Sequence, residues 1–311
     1  MIDFIKGHMG GDEIVLLRGD QLPEEDAVKD ALKILNAPHI RGHQAGILYE
    51  GKNKGVLRVK IVGASERGFI SMCGGLTQVL GKALVETDLS KYFKVTIERP
   101  ISRVMLETDD GLFCIDIEID HRKKVKRVWT NMTPYVNKCY KIGIQPIKVA
   151  GIEALKVGEY LVMDADRIKK KYPNANFKAM DEATLKILEK IQLDWNKKWY
   201  SKERRYLYNF SLYDMHPEHG GNLRAVFPHN VLGGYIEPAC GTGSVAIILA
   251  LTALGKITDG FSEVSIECGG NIGIGGPDIS TLRINVKDGR VANAYFSHSL
   301  VELLAIGKAY I

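Results

Sequence analysis

Met72-Cys73-Gly74-Gly75-Leu76-Thr77 and Pro238-Ala239-Cys240-Gly241-Thr242-Gly243-Ser244 are the two stretches that decide the predicted fold. In each stretch a cysteine ends a predicted strand, small residues follow it, and an apolar run with helical spacing comes next. Each cysteine is therefore predicted at a helix N-terminus, where backbone N–H groups and the positive end of the helix dipole stabilise negative charge. Such a position is expected to lower the pKa of a thiol and to accommodate a carboxylate.

The overall composition is that of a globular protein. The chain has 311 residues, of which 45% are hydrophobic and 25% are charged, and this length predicts two domains of ordinary size. The net charge of +5 is spread along the sequence, so we expect no nucleic-acid partner. The densest basic stretch, residues 197–206, is interpreted as the solvated end of a helix whose aromatic residues turn inward.

Cellular location is predicted from the cysteines and the apolar runs. Five cysteines without a close CxxC pair indicate thiols in a reducing compartment. The segment Met1–Lys6 carries an acid and a base where a signal peptide needs an apolar core. The apolar run Val245–Leu254 is far shorter than the ~20 residues of a membrane span. We therefore expect a cytoplasmic chain without membrane contact.

Strand and helix patterns occur in two similar sets. Helices are predicted at Glu24–Leu35, Thr77–Val85, Asp181–Trp195 and Val245–Leu254, the last with Gly255 as a left-handed cap. The strands predicted in the first half are Ile14–Leu17, Ala45–Tyr49, Val56–Val62, Lys94–Ile97, Arg103–Glu107, Leu112–Ile119 and Lys124–Trp129. Those predicted in the second half are Ile142–Val149, Tyr160–Met163, Leu207–Tyr213, Leu223–Phe227, Val264–Glu267 and Thr281–Val286.

The order of strands, cysteine, apolar helix and further strands occurs twice, with the two cysteines 167 residues apart. A helix that is apolar all round must be surrounded, so we predict an α+β fold of two pseudo-symmetric domains. Each domain is expected to be a curved, mostly antiparallel sheet wrapped around a central helix. The predicted N-terminal domain is 1–128 with 290–311, and the predicted C-terminal domain is 129–289.

Several segments, taken in order, resemble the proline racemase family, within the wider fold group that also contains diaminopimelate epimerase. The resembling segments are Arg41-Gly42-His43, Gly68 to Gly74 with the family motif MCGH, Asn131 to Val136 at the domain crossover, Gly158 to Ala165, and Pro238 to Ala246 with the motif SPCGTGTSA. Phe4 to Asp12 is more similar to the opening of diaminopimelate epimerase. The resemblance covers most of the chain.

This resemblance implies a racemase or epimerase that uses no cofactor, pyridoxal phosphate included, with Cys73 and Cys240 as thiolate base and thiol acid at a closing domain interface. Inverting a stereocentre needs one group to remove a proton from one face and another to deliver it to the opposite face. The substrate carboxylate is predicted to bind N–H groups of the two cysteine stretches, where small residues let the backbone approach the ligand. The predicted substrate-binding residues are Gly74, Gly75, Gly241, Thr242, Gly243, Ser244 and Glu237.

Two positions depart from the family pattern. Gly75 stands where the family has histidine, and Ile236 stands where it has an aspartate that in proline racemase helps to hold the substrate ammonium. Glu237 is predicted to take over this ammonium contact, and Gly75 to leave open space beside the substrate. We therefore expect a primary α-amino acid as substrate rather than proline.

The remaining cysteines and the glycine-rich segment are interpreted as structural. Cys114, Cys139 and Cys268 are predicted to be buried thiols that behave as small hydrophobic residues. The segment Gly269–Gly276 is interpreted as a turn between strands, because it lacks both the GxGxxG register and a following helix.

The histidines are not predicted to form a metal centre. Pro217 breaks any helix that would align His216 with His219. A catalytic ligand set that included His229 would also need surrounding groups to orient its ligands, and the sequence shows none. The roles of His8 and His43 stay open between structural hydrogen bonding and substrate contact.

The predicted function is an amino-acid racemase or epimerase with a small-molecule substrate as its partner, and a homodimer is left open. One alternative is a double-bond isomerase or dehydratase on the same scaffold. Another is a non-catalytic amino-acid-binding relative. Glu237 to Ala246 also resembles the E-D-P-x-T-G-S-A stretch of phenazine-biosynthesis isomerases, which lack the cysteine pair. The retained thiol pair favours the racemase.

Overall fold

The computed structural model describes residues 1–23, 25–70, 72–109, 111–199, 209–231, 234–270 and 272–311. Parts of four predicted features lie outside these residues. They are the first residue of the helix Glu24–Leu35, residues 200–206 of the basic stretch, residues 207–208 of the strand Leu207–Tyr213, and Asn271 of the glycine-rich segment. Contacts divide the chain into two compact units. The first unit is Met1–Asn131 with Ser297–Ile311, and the second is Met132–Phe296.

The first unit is mostly strands. Its strands are β1 (Ile2–Met9), β2 (Asp12–Arg18), β3 (Gln44–Glu50), β4 (Val56–Gly63), β5 (Gly68–Ile70), β6 (Ile101–Thr108), β7 (Gly111–Ile119), β8 (Val125–Asn131) and β18 (Val301–Ala309). Its helices are α1 (Ala27–Leu35), α2 (Gly74–Glu86) and α3 (Leu89–Tyr92).

The second unit has a similar mixture of elements. Its strands are β9 (Ile144–Val149), β10 (Ile152–Val157), β11 (Tyr160–Asp164), β12 (Asn209–Asp214), β13 (Leu223–Asn230), β14 (Tyr235–Glu237), β15 (Gly260–Glu267), β16 (Ile279–Lys287) and β17 (Arg290–His298), whose last two residues belong to the first unit. Its helices are α4 (Thr133–Ile142), α5 (Ala165–Lys171), α6 (Glu182–Trp199) and α7 (Gly241–Ala253).

Both units pair their strands in the same order. In the first, β1–β2 is antiparallel, β2–β3 parallel, β3–β4 antiparallel, β4–β5 antiparallel, β4–β6 parallel and β6–β7 antiparallel. In the second, β10–β11, β11–β12, β12–β13, β13–β14, β13–β15 and β15–β16 repeat these directions one by one. Helices α2 and α7 occupy equivalent places, after β5 and β14. The predicted α+β fold with an internal repeat is confirmed.

Helix α2 lies at the centre of the first unit. Five of its apolar residues recur at helical spacing and are buried, namely Leu76, Val79, Leu80, Ala83 and Leu84. In β2, Ile14 and Leu16 belong to the core around α2, whereas Val15 and Leu17 belong to a second core with α1. Because successive side chains of a strand point to opposite faces, β2 is covered on both sides and reads as a continuous apolar run.

Helix α7 has the equivalent position in the second unit. All its residues from Gly241 to Thr252 are buried, and it packs against β10, β11, β12, β16 and α4. Leu161 and Met163 of β11 instead join a core with α5 and α6. Gly255 follows the helix with a φ of 69°, which confirms the predicted left-handed cap.

The structure corrects several element predictions. Lys94–Ile97 is not a strand, because Val95 N donates to Ser90 O at 2.9 Å and folds the segment back onto α3, where Val95 is buried without a strand neighbour. Helices α2 and α7 begin at Gly74 and Gly241, three and four residues earlier than predicted. The sequence patterns missed β1, β10, β17, β18 and the helices α3, α4 and α5. Among the described residues, no helix combines the length and apolar character needed to cross a bilayer.

Candidate active site

Cys73 is the N-cap of α2 in the first unit. Its backbone is extended, with φ −141° and ψ 118°, and its sulfur accepts a hydrogen bond from Leu76 N at 3.3 Å. Its carbonyl oxygen accepts from Thr77 N at 3.4 Å and so begins the helical ladder. The cysteine side chain thus makes the N-cap hydrogen bond that a serine or aspartate side chain makes at most helix starts.

Cys240 caps α7 in the second unit with the same geometry. Its φ is −139° and its ψ is 121°, and its sulfur accepts from Gly243 N at 3.4 Å. Both cysteines are 6% exposed. The predicted positions of both cysteines at helix N-termini are confirmed. The two residues, which come from opposite halves of the chain, have the same backbone conformation and the same hydrogen bond from a backbone N–H to the sulfur.

The turns that follow the cysteines are tightly packed. Gly74 and Gly75 form the buried first turn of α2, and Gly241 to Ser244 form that of α7. Ser244 N and Oγ both donate to Cys240 O, at 3.0 and 2.7 Å, while Gly243 N is taken by the Cys240 sulfur. The N–H groups of Gly243 and Ser244, predicted to bind substrate, therefore have acceptors inside the turn.

Gly75 lies against the carboxylate of Asp12. A Cβ on Gly75 would overlap Asp12 Oδ2. Asp12 is completely buried at the start of β2, and its Oδ1 lies 2.9 Å from His43 Nδ1. The prediction of open space beside Gly75 is therefore wrong, because a carboxylate from an element 63 residues away fills it. Glycine is needed here for packing.

We expect Gly75→Ala to destabilise the first unit. The new methyl group displaces a buried carboxylate from its bond to His43, so we expect a net loss of about 1 kcal/mol or more in the free energy of unfolding, after the gain in helix propensity. Denaturant unfolding measures it. The matched control is Gly68→Ala, whose added Cβ would lie 3.9 Å from its nearest neighbour, the backbone oxygen of Glu66, and which should change stability by less than about 0.5 kcal/mol. Equal stability of both variants would contradict the packing argument.

Two hydroxyl groups lie beside the Cys240 sulfur. Tyr160 OH is 3.6 Å and Thr242 Oγ1 is 3.4 Å from the sulfur, and the two oxygens are 2.6 Å apart. Tyr160 begins β11 and is almost completely buried. The sequence analysis missed Tyr160, because nothing in its local pattern points to a residue 80 positions away.

Glu237 and His229 form a buried pair next to Cys240. His229 Nε2 lies 2.7 Å from Glu237 Oε2, and nitrogen, carboxylate oxygen and Cys240 sulfur lie within 4.8 Å of one another. Because strand neighbours point to opposite faces, Glu237 faces this cluster while Ile236 packs against the core shared with α6. The structure thus places Glu237 beside the second cysteine. Ile236 cannot contact this cysteine, because its side chain lies on the opposite face of the strand.

The hydrogen bonds of His229 fix its tautomer. Its Nδ1 accepts from Phe210 N at 3.3 Å, so the ring proton is on Nε2 and is donated to Glu237. A neutral histidine that binds a metal through Nε2 carries its proton on Nδ1, where the Phe210 N–H already points. The cluster of His229, Glu237 and Cys240 therefore does not fit a metal ion, and we interpret it as hydrogen-bonded.

A second cluster of possible metal ligands consists of Asp166, Asp214 and His216. Arg224 contacts Asp214 at 2.9 Å, and His216 contacts Asp166 at 3.2 Å. Arginine already neutralises the buried carboxylate, so this cluster is an ion-pair network. Among the residues that the structure describes, His216 and His229 thus belong to separate clusters.

The pKa of Cys240 is opposite in direction to the sequence prediction. Burial raises the pKa of the Cys240 thiol well above its ordinary value, and the nearby Glu237 carboxylate raises it further. Hydrogen bonds from Thr242, Gly243 and Tyr160 lower it, but they do not outweigh burial. The expectation that the helix start lowers this pKa is wrong in this structure, because burial and the neighbouring carboxylate outweigh the hydrogen bonds to the sulfur.

Comparisons with known proteins show the fold. No protein-family model matches the chain. No curated protein sequence matches it either. A hydroxyproline epimerase from Agrobacterium vitis with bound trans-4-hydroxy-L-proline matches with a TM-score of 0.66 and 15% identity, over 98% of this chain and 91% of that chain.

Two further solved structures match over nearly the whole chain. A probable proline racemase from Agrobacterium radiobacter K84, with bound carbonate, has a TM-score of 0.65 and 15% identity, over 100% of this chain and 93% of that one. A methylitaconate-delta-isomerase has a TM-score of 0.61 and 15% identity, with coverages of 98% and 94%. The chain is thus similar in fold to an epimerase, a probable racemase and an isomerase, and the fold resemblance predicted from the sequence is confirmed.

Proposed function

We propose that this chain is a cofactor-independent isomerase that inverts the α-carbon of an amino acid, with Cys73 and Cys240 as its proton-transfer groups. The observation that carries the proposal is the equivalence of the two cysteine caps. Their φ and ψ angles agree within 3°, and each sulfur accepts from the N–H three residues on. Inversion in both directions requires two groups of similar chemistry, and this repeated cap supplies them.

The proposed reaction moves one proton from the substrate to Cys73 and another proton from Cys240 to the substrate. The Cys73 thiolate removes the Cα proton and becomes a thiol, which leaves the electron pair on the substrate as an enolate-like carbanion. The Cys240 thiol then delivers its proton to the opposite face and becomes a thiolate. For the other enantiomer the two roles are exchanged. The raised pKa of Cys240 supports the assignment of Cys240 as the group that begins protonated.

Glu237 is proposed to bind the substrate ammonium. Its carboxylate is buried, lies near the Cys240 sulfur, and accepts a hydrogen bond from the neutral ring of His229. A substrate cation placed there neutralises the charge that raises the Cys240 pKa, and so favours proton delivery. The substrate carboxylate is proposed to bind at the start of α7, at the N–H groups of Gly241 and Thr242, since those of Gly243 and Ser244 already have acceptors. The start of α2 suits it less, because Asp12 places a carboxylate beside Gly75.

Hydrogen exchange in D2O tests the proposed function. The purified protein is incubated with a panel of L- and D-amino acids, loss of the Cα proton signal is followed by NMR, and the enantiomers are separated by chiral chromatography. We expect deuterium at Cα together with inversion. The panel includes proline, 4-hydroxyproline and linear amino acids, so that it also identifies the substrate.

The control is the Cys73→Ser/Cys240→Ser double variant prepared in the same way, which excludes a contaminating racemase. Exchange or elimination without inversion would instead indicate a double-bond isomerase or dehydratase. Binding of amino acids without exchange would indicate a non-catalytic relative. Neither binding nor exchange with any member of the panel would overturn the proposal.

A further inference from the structure

The Cys240 sulfur lies within reach of three hydrogen-bond donors in the second unit. They are the backbone N–H of Gly243 at 3.4 Å, the hydroxyl of Thr242 at 3.4 Å and the hydroxyl of Tyr160 at 3.6 Å. A thiol is a weak acceptor and needs no such set, whereas a thiolate accepts several hydrogen bonds to its charge. This convergence is therefore suited to the deprotonated sulfur.

The protons of the two hydroxyl groups can adapt to either state of the sulfur. The oxygens of Tyr160 and Thr242 are 2.6 Å apart, so one hydroxyl proton lies between them and the other is available. When Cys240 is a thiol, its S–H donates to the hydroxyl pair. When Cys240 is a thiolate, rotation of a hydroxyl directs the available proton to the sulfur, and no heavy atom has to move.

We propose that Tyr160, acting together with Thr242, stabilises the thiolate that Cys240 becomes when it delivers its proton. This inference rests on the proposed function, which makes Cys240 an acid and base. The phenol itself stays protonated, because burial and the nearby Cys240 raise the pKa of Tyr160 well above its ordinary value. Tyr160 is thus a hydrogen-bond donor in this site and does not exchange its proton with the substrate.

The fold holds the Tyr160 phenol in place. Tyr160 is the first residue of β11 and pairs in parallel with Asn209 of β12. Its strand neighbour Leu161 faces the core with α6, so the Tyr160 side chain points to the other face, against which α7 packs. The ring of His229 meets the phenol edge to face, with centroids 5.7 Å apart. A phenol fixed on a strand aims its hydroxyl at the sulfur without an entropic cost at each turnover.

The test measures how fast Cys240 reacts with iodoacetamide in the absence of any substrate. The variants Tyr160→Phe and Thr242→Val are compared with the unmodified chain at one pH below the pKa of the thiol, and incorporation at Cys240 is quantified by mass spectrometry of its peptide. Only the thiolate reacts. Losing a hydrogen bond to a charged group raises the pKa by about one unit or more, so we expect Tyr160→Phe to react about tenfold more slowly.

Tyr213→Phe is the matched control. Tyr213 is also buried, lies on the neighbouring strand β12, and bonds to Asp164 rather than to Cys240. This variant loses a buried phenol hydroxyl in the same unit, and the rate at Cys240 should stay within about twofold of the unmodified chain. If the hydroxyl pair acts as one group, combining Tyr160→Phe with Thr242→Val slows the reaction by less than the product of the two single effects.

An unchanged or faster rate in Tyr160→Phe would overturn the inference. If Tyr160→Phe does not fold, Thr242→Val alone decides, since the second hydroxyl also lies next to the sulfur. The alkylation measurement uses no substrate, so a slower rate in Tyr160→Phe supports the role of Tyr160 even if the D2O screen finds no exchange. A D2O screen without exchange would refute only the proposed function. Conversely, racemisation with an unaltered rate in both variants would refute only the role of Tyr160.

Discussion

Replacing either Cys73 or Cys240 with serine is expected to abolish inversion of the substrate. A serine hydroxyl is a far weaker acid than a thiol, so it delivers a proton poorly and almost none of it is deprotonated near neutral pH. We therefore expect racemisation to fall by at least about a hundredfold. Each single variant keeps one thiol and is expected to retain some exchange of the Cα proton for one enantiomer. NMR in D2O and chiral chromatography measure both quantities.

Cys114→Ser and Cys268→Ser are the matched controls in the two units. Both cysteines are buried, and the Cys268 sulfur already contacts Ser280 Oγ at 3.1 Å, so a hydroxyl there keeps a partner. These variants should racemise at the rate of the unmodified chain. A Cys240→Ser protein that racemises near the normal rate would remove the two-thiol mechanism from consideration.

Glu237→Gln is expected to weaken substrate binding strongly. Glutamine keeps an oxygen that accepts the His229 Nε2–H, so the fold of the cluster is retained and only the charge is lost. The substrate ammonium then stays buried without a counter-charge, which we expect to raise KM by about thirtyfold or more. Steady-state kinetics measure this loss.

Two further measurements separate the charge from other effects of this substitution. Affinity for a substrate analogue without the amino group should not fall in Glu237→Gln, because that analogue makes no ion pair. The iodoacetamide rate at Cys240 should rise, since the Glu237 carboxylate raises the pKa of the thiol. This direction is opposite to that expected for Tyr160→Phe. If the unmodified chain and the Glu237→Gln variant had equal KM values, another group would have to bind the substrate ammonium.

Much of the fold could be predicted from the sequence because the signals are local. A cysteine followed by small residues and a helically spaced apolar run predicts a cysteine at a helix N-terminus, and Cys73 and Cys240 are the N-caps of α2 and α7. Gly255 predicts the end of α7 for the same reason, since a left-handed residue closes the helix. Where no short-range pattern exists, as for β17 and β18, the strands were missed.

The sequence alone determined where the two thiols stand, because a cap, an apolar helix and a repeated order of strands depend on residues close together in the chain. The tertiary structure decided what surrounds them. Asp12 fills the space beside Gly75, Tyr160 reaches Cys240, and His229 pairs with Glu237 only after strands distant in sequence have paired. The raised pKa of Cys240 follows from the same packing, since burial and a neighbouring carboxylate act over a few ångströms in space. The residues next to Cys240 in the sequence do not reveal these two effects.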